Sequence, residues 1–419
     1  MMNREDIEIM APVGSRESLA AALRAGADSV YFGIGRLNMR AHSANAFTVS
    51  DLQDIAEQCR RLGVKTYLTV NTVIYEDDMA DMRAICDAAL KAGISAVIAS
   101  DVATMTYCRS IGLEVHLSTQ LNIANTEALR FYAQFADVVV LARELNMFQV
   151  KEIHEQIEQQ GICGPSGRPV RIEMFCHGAL CMAVSGKCYL SLHNAGRSAN
   201  RGDCVQICRR SYEVRDRETG NELLVDNKYI MSPKDLKTIE FVDIMLNAGV
   251  RVFKIEGRAR GAEYVATVVR AYREAIDAAL AGELHADAGR MARWNEALSS
   301  VFNRGFWDGY YQGARLGEWS EAYGSKATEQ KVYSGKCVKY FSKIGVAEFL
   351  IENENISVGD RILVTGNTTG ALIQTADELR VDLEPVERTE RGQHISLKTN
   401  EKVRRGDKLY VLRKRSLAD

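Results

Sequence analysis

Between Ile7 and Ala281 one pattern recurs eight times: a short β-rich apolar run, then a segment of helical periodicity. The expected strands are Ile7–Val13, Ser29–Ile34, Val64–Asn71, Ala96–Ser100, Glu114–Thr119, Asp137–Ala142, Arg171–Phe175 and Arg251–Ile255. The expected helices are Arg16–Ala25, Ser50–Leu62, Asp78–Ala92, Val102–Ile111, Thr126–Phe135, Met147–Gln160, Lys234–Ala248 and Glu263–Ala281. Ser15 is placed to cap the first helix and Gly26 to end it. Strict alternation predicts a parallel sheet, and eight units in about 280 residues match a closed (β/α)8 TIM-like barrel. An open doubly wound sheet is the alternative, but no Gly-x-Gly-x-x-Gly follows the first strand and no phosphate-binding loop is present. Barrel chemistry sits at the carboxyl ends of the strands. That points to Gly14, Arg40, Asn71, Asp101, Ser118–Gln120, Arg143–Glu144, His177 and Glu256–Arg258.

After residue 330 the pattern changes to short alternating runs: Lys331–Lys339, Gly345–Ile351, Asp360–Thr365, His394–Lys398 and Asp407–Leu412. Turn signals such as Val358-Gly-Asp and Arg405-Gly-Asp separate them, so a small all-β barrel module is expected. The expected division is 1–282 for the barrel, with a cysteine loop at 176–210 inserted, 283–330 as a connecting segment returning to the barrel, and 331–419 for the β module. The module ends in a basic run: Lys402, Arg404, Arg405, Lys408, Arg413, Lys414 and Arg415 lie within fourteen residues. A solvated surface and a phosphate-contacting surface both suit that run. Formal net charge is −2, so any nucleic-acid surface must be local. No run approaches the roughly 20 apolar residues of a membrane span, and the start lacks the apolar core of a signal peptide. The expectation is a soluble cytoplasmic protein with no membrane partner.

Cys181, Cys188, Cys204 and Cys208 punctuate a stretch rich in Gly, Ser, Asn and Arg, with six, fifteen and three residues between them. Such a loop buries little apolar surface, and a thiolate-held metal centre is a natural way to order it. Disulfides or free thiols are the ordinary alternative, though intracellular disulfides are uncommon. Zinc and iron–sulfur both suit four thiolates. The lack of a Cys-x-x-Cys knuckle leans toward a 4Fe-4S cluster. Cys59, Cys86 and Cys108 fall in apolar-periodic helical stretches and read as small core residues, while Cys176 is the one substitute ligand worth weighing.

The run Glu173-x-Phe175-x-x-Gly178-Ala-Leu-Cys181-x6-Cys188-x-x-Ser191 resembles the signature of the U-32 peptidase family. Flanking blocks resemble it too: Ala11-Pro12-Val-Gly14, His116-Leu-Ser118-Thr119-Gln120, Ser232-x-Lys234-Asp235-Leu236, Lys254-Ile-Glu256-Gly257-Arg258 and Asn303-Arg304-Gly305. The resemblance covers about residues 7–330, and the C-terminal module is similar to the appended module of longer members. It implies one of several activities. Members are known for prephenate-dependent hydroxylation of the tRNA wobble uridine, for hydroxylation of an rRNA cytidine and for oxygen-independent hydroxylation in ubiquinone synthesis, besides the proteolysis in the family's name. At this length, with one β module, the tRNA type is the expected one. The partners implied are tRNA, prephenate as co-substrate, and a paralogous partner subunit of the kind that some relatives use. The resemblance places Cys181, Cys188 and Cys204 at cluster positions with Cys208 as the fourth. Cys176 stands where relatives often carry an aliphatic residue.

No His-Glu-x-x-His helix, Gly-x-Ser-x-Gly elbow or Cys/His protease block is present. His177 can be drawn as a pair with Cys176 or Cys181, but a thiolate holding a cluster is not free to attack a peptide. Glu173, His177 and Glu256 are the candidates for proton transfer, and for the two glutamates ion pairing inside the mouth is the structural alternative. Arg40, Ser118, Gln120, Arg143, Arg201 and Arg258 are the candidate substrate-binding residues, since guanidiniums recognise carboxylate and phosphate in bidentate fashion. A non-catalytic iron–sulfur subunit acting with a partner is the third reading.

Overall fold

A computed structural model describes residues 3–42, 47–213, 218, 231–314, 316–321 and 324–415. The barrel strands are β1 (Glu8–Pro12), β2 (Ser29–Phe32), β3 (Lys65–Val70), β4 (Ala96–Ala99), β5 (Val115–Leu117), β6 (Val138–Val140), β7 (Arg171–Gly178) and, after a short strand β8 (Asp235–Lys237), β9 (Val250–Ile255). Each of β1 to β6 pairs in parallel with the next, and β9 pairs in parallel with both β7 and β1, which closes an eight-stranded ring. All eight barrel strands fall where the sequence pattern expects them.

The helices between them are α1 (Arg16–Ala25), α2 (Leu52–Arg61), α3 (Met79–Ala92), α4 (Val102–Ser110), α5 (Thr126–Ala133), α6 (Met147–Gln159), α7 (Leu190–Ala195), α8 (Val242–Asn247) and α9 (Ala262–Leu280). Local chemistry sets their ends. The Ser15 hydroxyl accepts from the Ser18 amide, and Gly26 closes α1 in the left-handed region at φ 86°. Buried on both faces, the strands are mostly apolar, and β4 and β6 wholly so. The barrel lumen holds Met10, Tyr31, Tyr67, Ala96, Ile98, Val138 and Val252. At its amino-terminal end Glu8 is buried against Lys65 Nζ (2.9 Å) and the Tyr67 hydroxyl (2.6 Å). Burial alone would raise that carboxyl, but Lys65 and Arg171 pull it down to about 2.

One element departs from expectation. Lys234–Ala248 does not form a single helix: Asp235–Lys237 near its start is β8, which runs antiparallel to β7, and only Val242–Asn247 is α-helical. Three residues are too few to show an alternating pattern, so the helical periodicity of the following turns masked the strand. In the connecting segment, helix α10 (Ala288–Ser300) precedes strand β10 (Phe306–Trp307), which pairs in parallel with β8. Together β8 and β10 extend the sheet beside the barrel mouth.

The C-terminal region is one antiparallel sheet: β11 (Glu329–Phe341), β12 (Val346–Ile351), β13 (Arg361–Gly366), β14 (Gly370–Thr375), β15 (Leu379–Val381), β16 (Glu384–Val386), β17 (His394–Lys398) and β18 (Lys408–Lys414). Its order is β14-β13-β18-β11-β12-β17-β15-β16, so this pairing leaves edges at β14 and β16 instead of closing a ring. Its core is separate from that of the barrel. The β14 edge is covered by the barrel: Ala371 packs on Ala21, Ala262 and Ala266 of α1 and α9. Gly370, at φ 72°, comes so close that a Cβ there would lie 2.7 Å from the Ala21 amide nitrogen. Of the basic run, Arg413 is engaged by Glu354 and Asp360, and Arg404 reaches Thr369. No helix among the described residues is long and apolar enough to cross a membrane.

Candidate functional site

Two cavities open at the carboxyl ends of the barrel strands and share a wall of Arg40, Arg143, Cys181, Glu256 and Arg258. The larger, about 190 Å³, is also lined by Cys204, Cys208, Arg209, Asp235, Arg260 and Arg304. The smaller, about 140 Å³, reaches into the lumen between Tyr31, Asn71, Ser118, Gln120, Phe175 and Lys254.

Glu256, just past the end of β9, sits at the junction. Arg40 Nη2 donates to its Oε1 at 2.8 Å, and the Tyr31 hydroxyl lies 3.4 Å from Oε2. Burial alone would raise this carboxyl, but Arg40, Arg143 and Arg258 hold it down at about 2, so it is ionised at neutral pH. In return Glu256 pushes the Arg40 guanidinium up. A carboxylate that weakly basic suits holding cations better than abstracting protons. Arg258 is fixed by Asn38 Oδ1 (3.2 Å) and Thr69 Oγ1 (2.7 Å), and burial lowers it to about 10. Gly33 leaves it room, since a Cβ there would lie 2.7 Å from Arg258 Nη1. Arg143 stacks over the Phe175 ring at 3.7 Å and donates to the Ala179 carbonyl at 3.2 Å. Its Nε is buried with no hydrogen-bond partner among the described residues, a donor that a ligand oxygen would satisfy. Ser118 accepts from Asn71 at 3.1 Å and donates to Gln120, whose amide donates to the Asn71 carbonyl at 3.3 Å.

Three candidates lie outside this constellation. Glu173 is fully buried one layer below the mouth, where Lys254 Nζ donates to it at 2.7 Å. His177 is buried among Tyr264, Tyr272 and Phe306, and desolvation lowers it to about 3, so it is neutral. Arg201 pairs with the buried Asp78 at 2.5 Å and lies over the Tyr75 ring at 4.0 Å, tying the cysteine loop to the wall after β3. Neither Glu173, His177 nor Arg201 lines the cavities.

Conversely, Asp235, Arg260 and Arg304 line the larger cavity beside Arg209 of the basic cysteine loop, and none of those three stood among the candidates drawn from sequence. Arg304 pairs with Asp235 at 3.2 Å, and Arg260 stacks over Phe302 at 3.4 Å. Reading β8 as helix hid Asp235 and its partner. The spacing Arg258-x-Arg260 at a strand end was the available signal for Arg260.

The cysteine loop meets the mouth through Gly178. At φ 102°, a Cβ on it would lie 2.4 Å from the Glu256 carbonyl oxygen, so the ends of β7 and β9 touch only because this residue is glycine. Cys181, Cys204 and Cys208 line the larger cavity, and all four loop cysteines are unpaired thiols. Burial raises the Cys208 thiol, Arg209 opposes that, and Cys181, Cys204 and Cys188 lie near enough to raise it further. Among the described residues no three His, Cys, Asp or Glu side chains converge on a single ion. A 4Fe-4S cluster asks instead for one thiolate per iron around a larger body, and four thiols on one polar loop, three of them lining the same cavity, are a donor set whose chemistry fits it. Cys176 is buried in the apolar core, with its Sγ directed at the Lys254 carbonyl (3.4 Å).

Residues 14–321 match the model of peptidase family U32. The chain belongs to that family. A protein named collagenase from Porphyromonas gingivalis is 66% identical over 414 residues, covering 99% of this chain and all of the relative. The tRNA hydroxylation protein P1 of Bacillus subtilis is 34% identical, covering 73% of this chain and 71% of the relative. An Escherichia coli 23S rRNA 5-hydroxycytidine synthase is 32% identical over 74% of this chain and 46% of the relative. The U32 relatives are thus named both as peptidases and as RNA hydroxylation proteins.

Proposed function

We propose that this U32 protein takes part in hydroxylating RNA, and specifically the wobble uridine of tRNA, with prephenate as the oxygen-supplying co-substrate. The observation that carries the reading is the charge of the mouth: six arginines line the larger cavity against two carboxylates, Glu256 and Asp235. Such a site favours an anionic small molecule or a phosphodiester, since a dicarboxylate can replace water on several guanidiniums at once. The relatives named for tRNA and rRNA hydroxylation, at 34% and 32% identity, support the same reaction class.

In this reading Arg143 and Arg40 bind carboxylate oxygens, Arg258 holds the floor through Thr69 and Asn38, and Ser118 and Gln120 accept or donate to ligand hydroxyls. Glu256 keeps the guanidiniums apart and charged until the ligand enters. Cys181, Cys188, Cys204 and Cys208 would hold a 4Fe-4S cluster, which supplies one-electron redox chemistry when bound.

The second reading, proteolysis, is favoured by the full-length 66% relative named collagenase. Its difficulty is the state of the obvious pair. The Cys176 thiol is pushed up by burial and turned to a backbone carbonyl, and His177 sits 3.4 Å from Tyr272 in an apolar cage. The deciding experiment is mass spectrometry of tRNA nucleosides from a deletion strain complemented with wild type or Arg258→Met. The RNA reading expects 5-hydroxyuridine-type nucleosides to disappear in the deletion and return only with the wild type. Unchanged nucleosides together with lost peptide cleavage would favour the peptidase.

A further inference from the structure

The cysteine loop carries a run of exposed apolar side chains close together in sequence. Between Met182 and Leu192 five large apolar side chains are exposed, with Tyr189 at 71% the most open. The loop from Ala179 to Arg210 carries five Lys or Arg and one acid, Asp203, in a chain whose net charge is −2. Three of those cations are committed internally: Arg197 to Asp203, Arg201 to Asp78, and Arg209 to the carbonyls of Leu180 and Pro233. Lys187 and Arg210 are exposed and have no side-chain partner among the described residues. The only acid in the loop is already neutralised, so the free charge on this face is positive.

An exposed aromatic and aliphatic face flanked by uncommitted cations is the chemistry of a single-stranded nucleic-acid surface. There, bases stack on rings while phosphates meet Lys and Arg. Its position gives the occupant. The same loop walls the cavity through Cys181, Cys204 and Cys208, and Ser185 and Gly186 line the inner chamber. A base entering the mouth must leave its stack, and its neighbours then need another surface. Resting on the RNA reading above, we infer that the loop face around Tyr189 stacks the unpaired nucleotides flanking the target base, with Lys187 and Arg210 on their phosphates.

The test measures binding of anaerobically purified holoprotein to a synthetic RNA stem-loop and to the same stem closed as a duplex, with iron content measured for every variant. Tyr189→Ala should weaken stem-loop binding about tenfold or more, while Tyr189→Phe, which keeps the ring, stays within about twofold. Lys187→Ala with Arg210→Ala should make the salt dependence shallower by about 1 to 2 units of slope. Iron content should match the wild type throughout, since none of these residues is a proposed ligand. Wild-type affinity in an iron-replete Tyr189→Ala protein would overturn the inference and leave the RNA reading standing. So would equal binding of stem-loop and duplex. Loss of a co-purifying protein on Tyr189→Ala, with RNA affinity unchanged, would assign the face to a protein partner instead. If the unaltered holoprotein bound neither RNA, the RNA reading itself would fall and this surface with it.

Discussion

Replacing Glu173 with Gln separates a structural role from a chemical one. Its carboxylate meets Lys254 Nζ at 2.7 Å, both side chains are almost fully buried, and Glu173 Oε2 has no partner among the described residues. Two unit charges at that distance attract by about 6 kcal/mol at an effective dielectric of 20. Desolvating both ions offsets most of that gain. Removing only the acid leaves a buried ammonium without a counter-charge, which costs about 3–5 kcal/mol, toward the low end here because the Gln oxygen still accepts a hydrogen bond. The rings of Tyr31 and Phe175, 4.8 and 5.5 Å from Nζ, also soften the loss. The double variant Glu173→Leu with Lys254→Met should return to within about 1–2 kcal/mol of wild type, because it removes both desolvation terms together. Denaturant unfolding followed by tryptophan fluorescence reads this out cleanly. Trp294, Trp307 and Trp319 all precede residue 330, so the β module is silent. A Glu173→Gln protein within about 1 kcal/mol of wild type that nonetheless loses RNA modification would refute this account and make Glu173 a reacting group.

Cys181→Ser or Cys188→Ser should abolish iron retention and the broad visible thiolate-to-iron absorption of anaerobically purified protein; stoichiometric zinc with no iron in the wild type would count against the cluster. His177, lowered to about 3 in the fold from the ordinary 6.5 of an imidazole, stays neutral while the unfolded chain protonates. Stability should therefore fall by about 1.4 kcal/mol per pH unit as pH drops below 6.5, and His177→Phe should flatten that slope. The window from 6.5 to 4.5 isolates this effect from Glu256 and Glu8, whose stabilisation is present above 4.5 and is lost only as pH falls toward 2. Gly370→Val forces a branched Cβ against the α1 backbone at a positive φ, and should loosen the β module while leaving iron content intact. Faster proteolytic cleavage near residues 324–328 is the readout.

The barrel was legible because its strands are buried on both faces, so each appears as an apolar β-rich run bounded by a helix cap or a glycine. What the pattern does not carry is depth and parity. Glu173 and His177 are four residues apart on β7, and simple alternation puts both side chains in the lumen. Glu173 is there, against Lys254. The register of β7 on β9 shifts between Phe175 and His177, and His177 turns outward onto Tyr264 and Tyr272 of α9 instead. No residue type announces that irregularity. Arg201 shows the opposite limit. Its membership of a basic loop was plain, but its partner Asp78 is 123 positions away, and only the fold makes it a strut.

Charge balance at the mouth is what separates the two functional readings physically. Six guanidiniums line the larger cavity with two carboxylates, and burial has already lowered Arg258 to about 10 and weakened Arg209 and Arg260. Cations that are partly desolvated and outnumber their counter-charges repel one another, and anything negative that enters is stabilised by all of them at once. Thiolates at Cys181, Cys204 and Cys208 would supply part of the missing charge from the loop side, and an anionic ligand the rest. A peptide bond is neutral: placed here it would lose its hydration without relieving the repulsion. Carboxylates or phosphates lose hydration too, but meet donors already held in place by Thr69, Asn38, Phe175 and Ala179, so little reorganisation is spent on binding. Such a mouth is built for anions, and an RNA-modifying reaction with a dicarboxylate co-substrate uses that property where proteolysis does not.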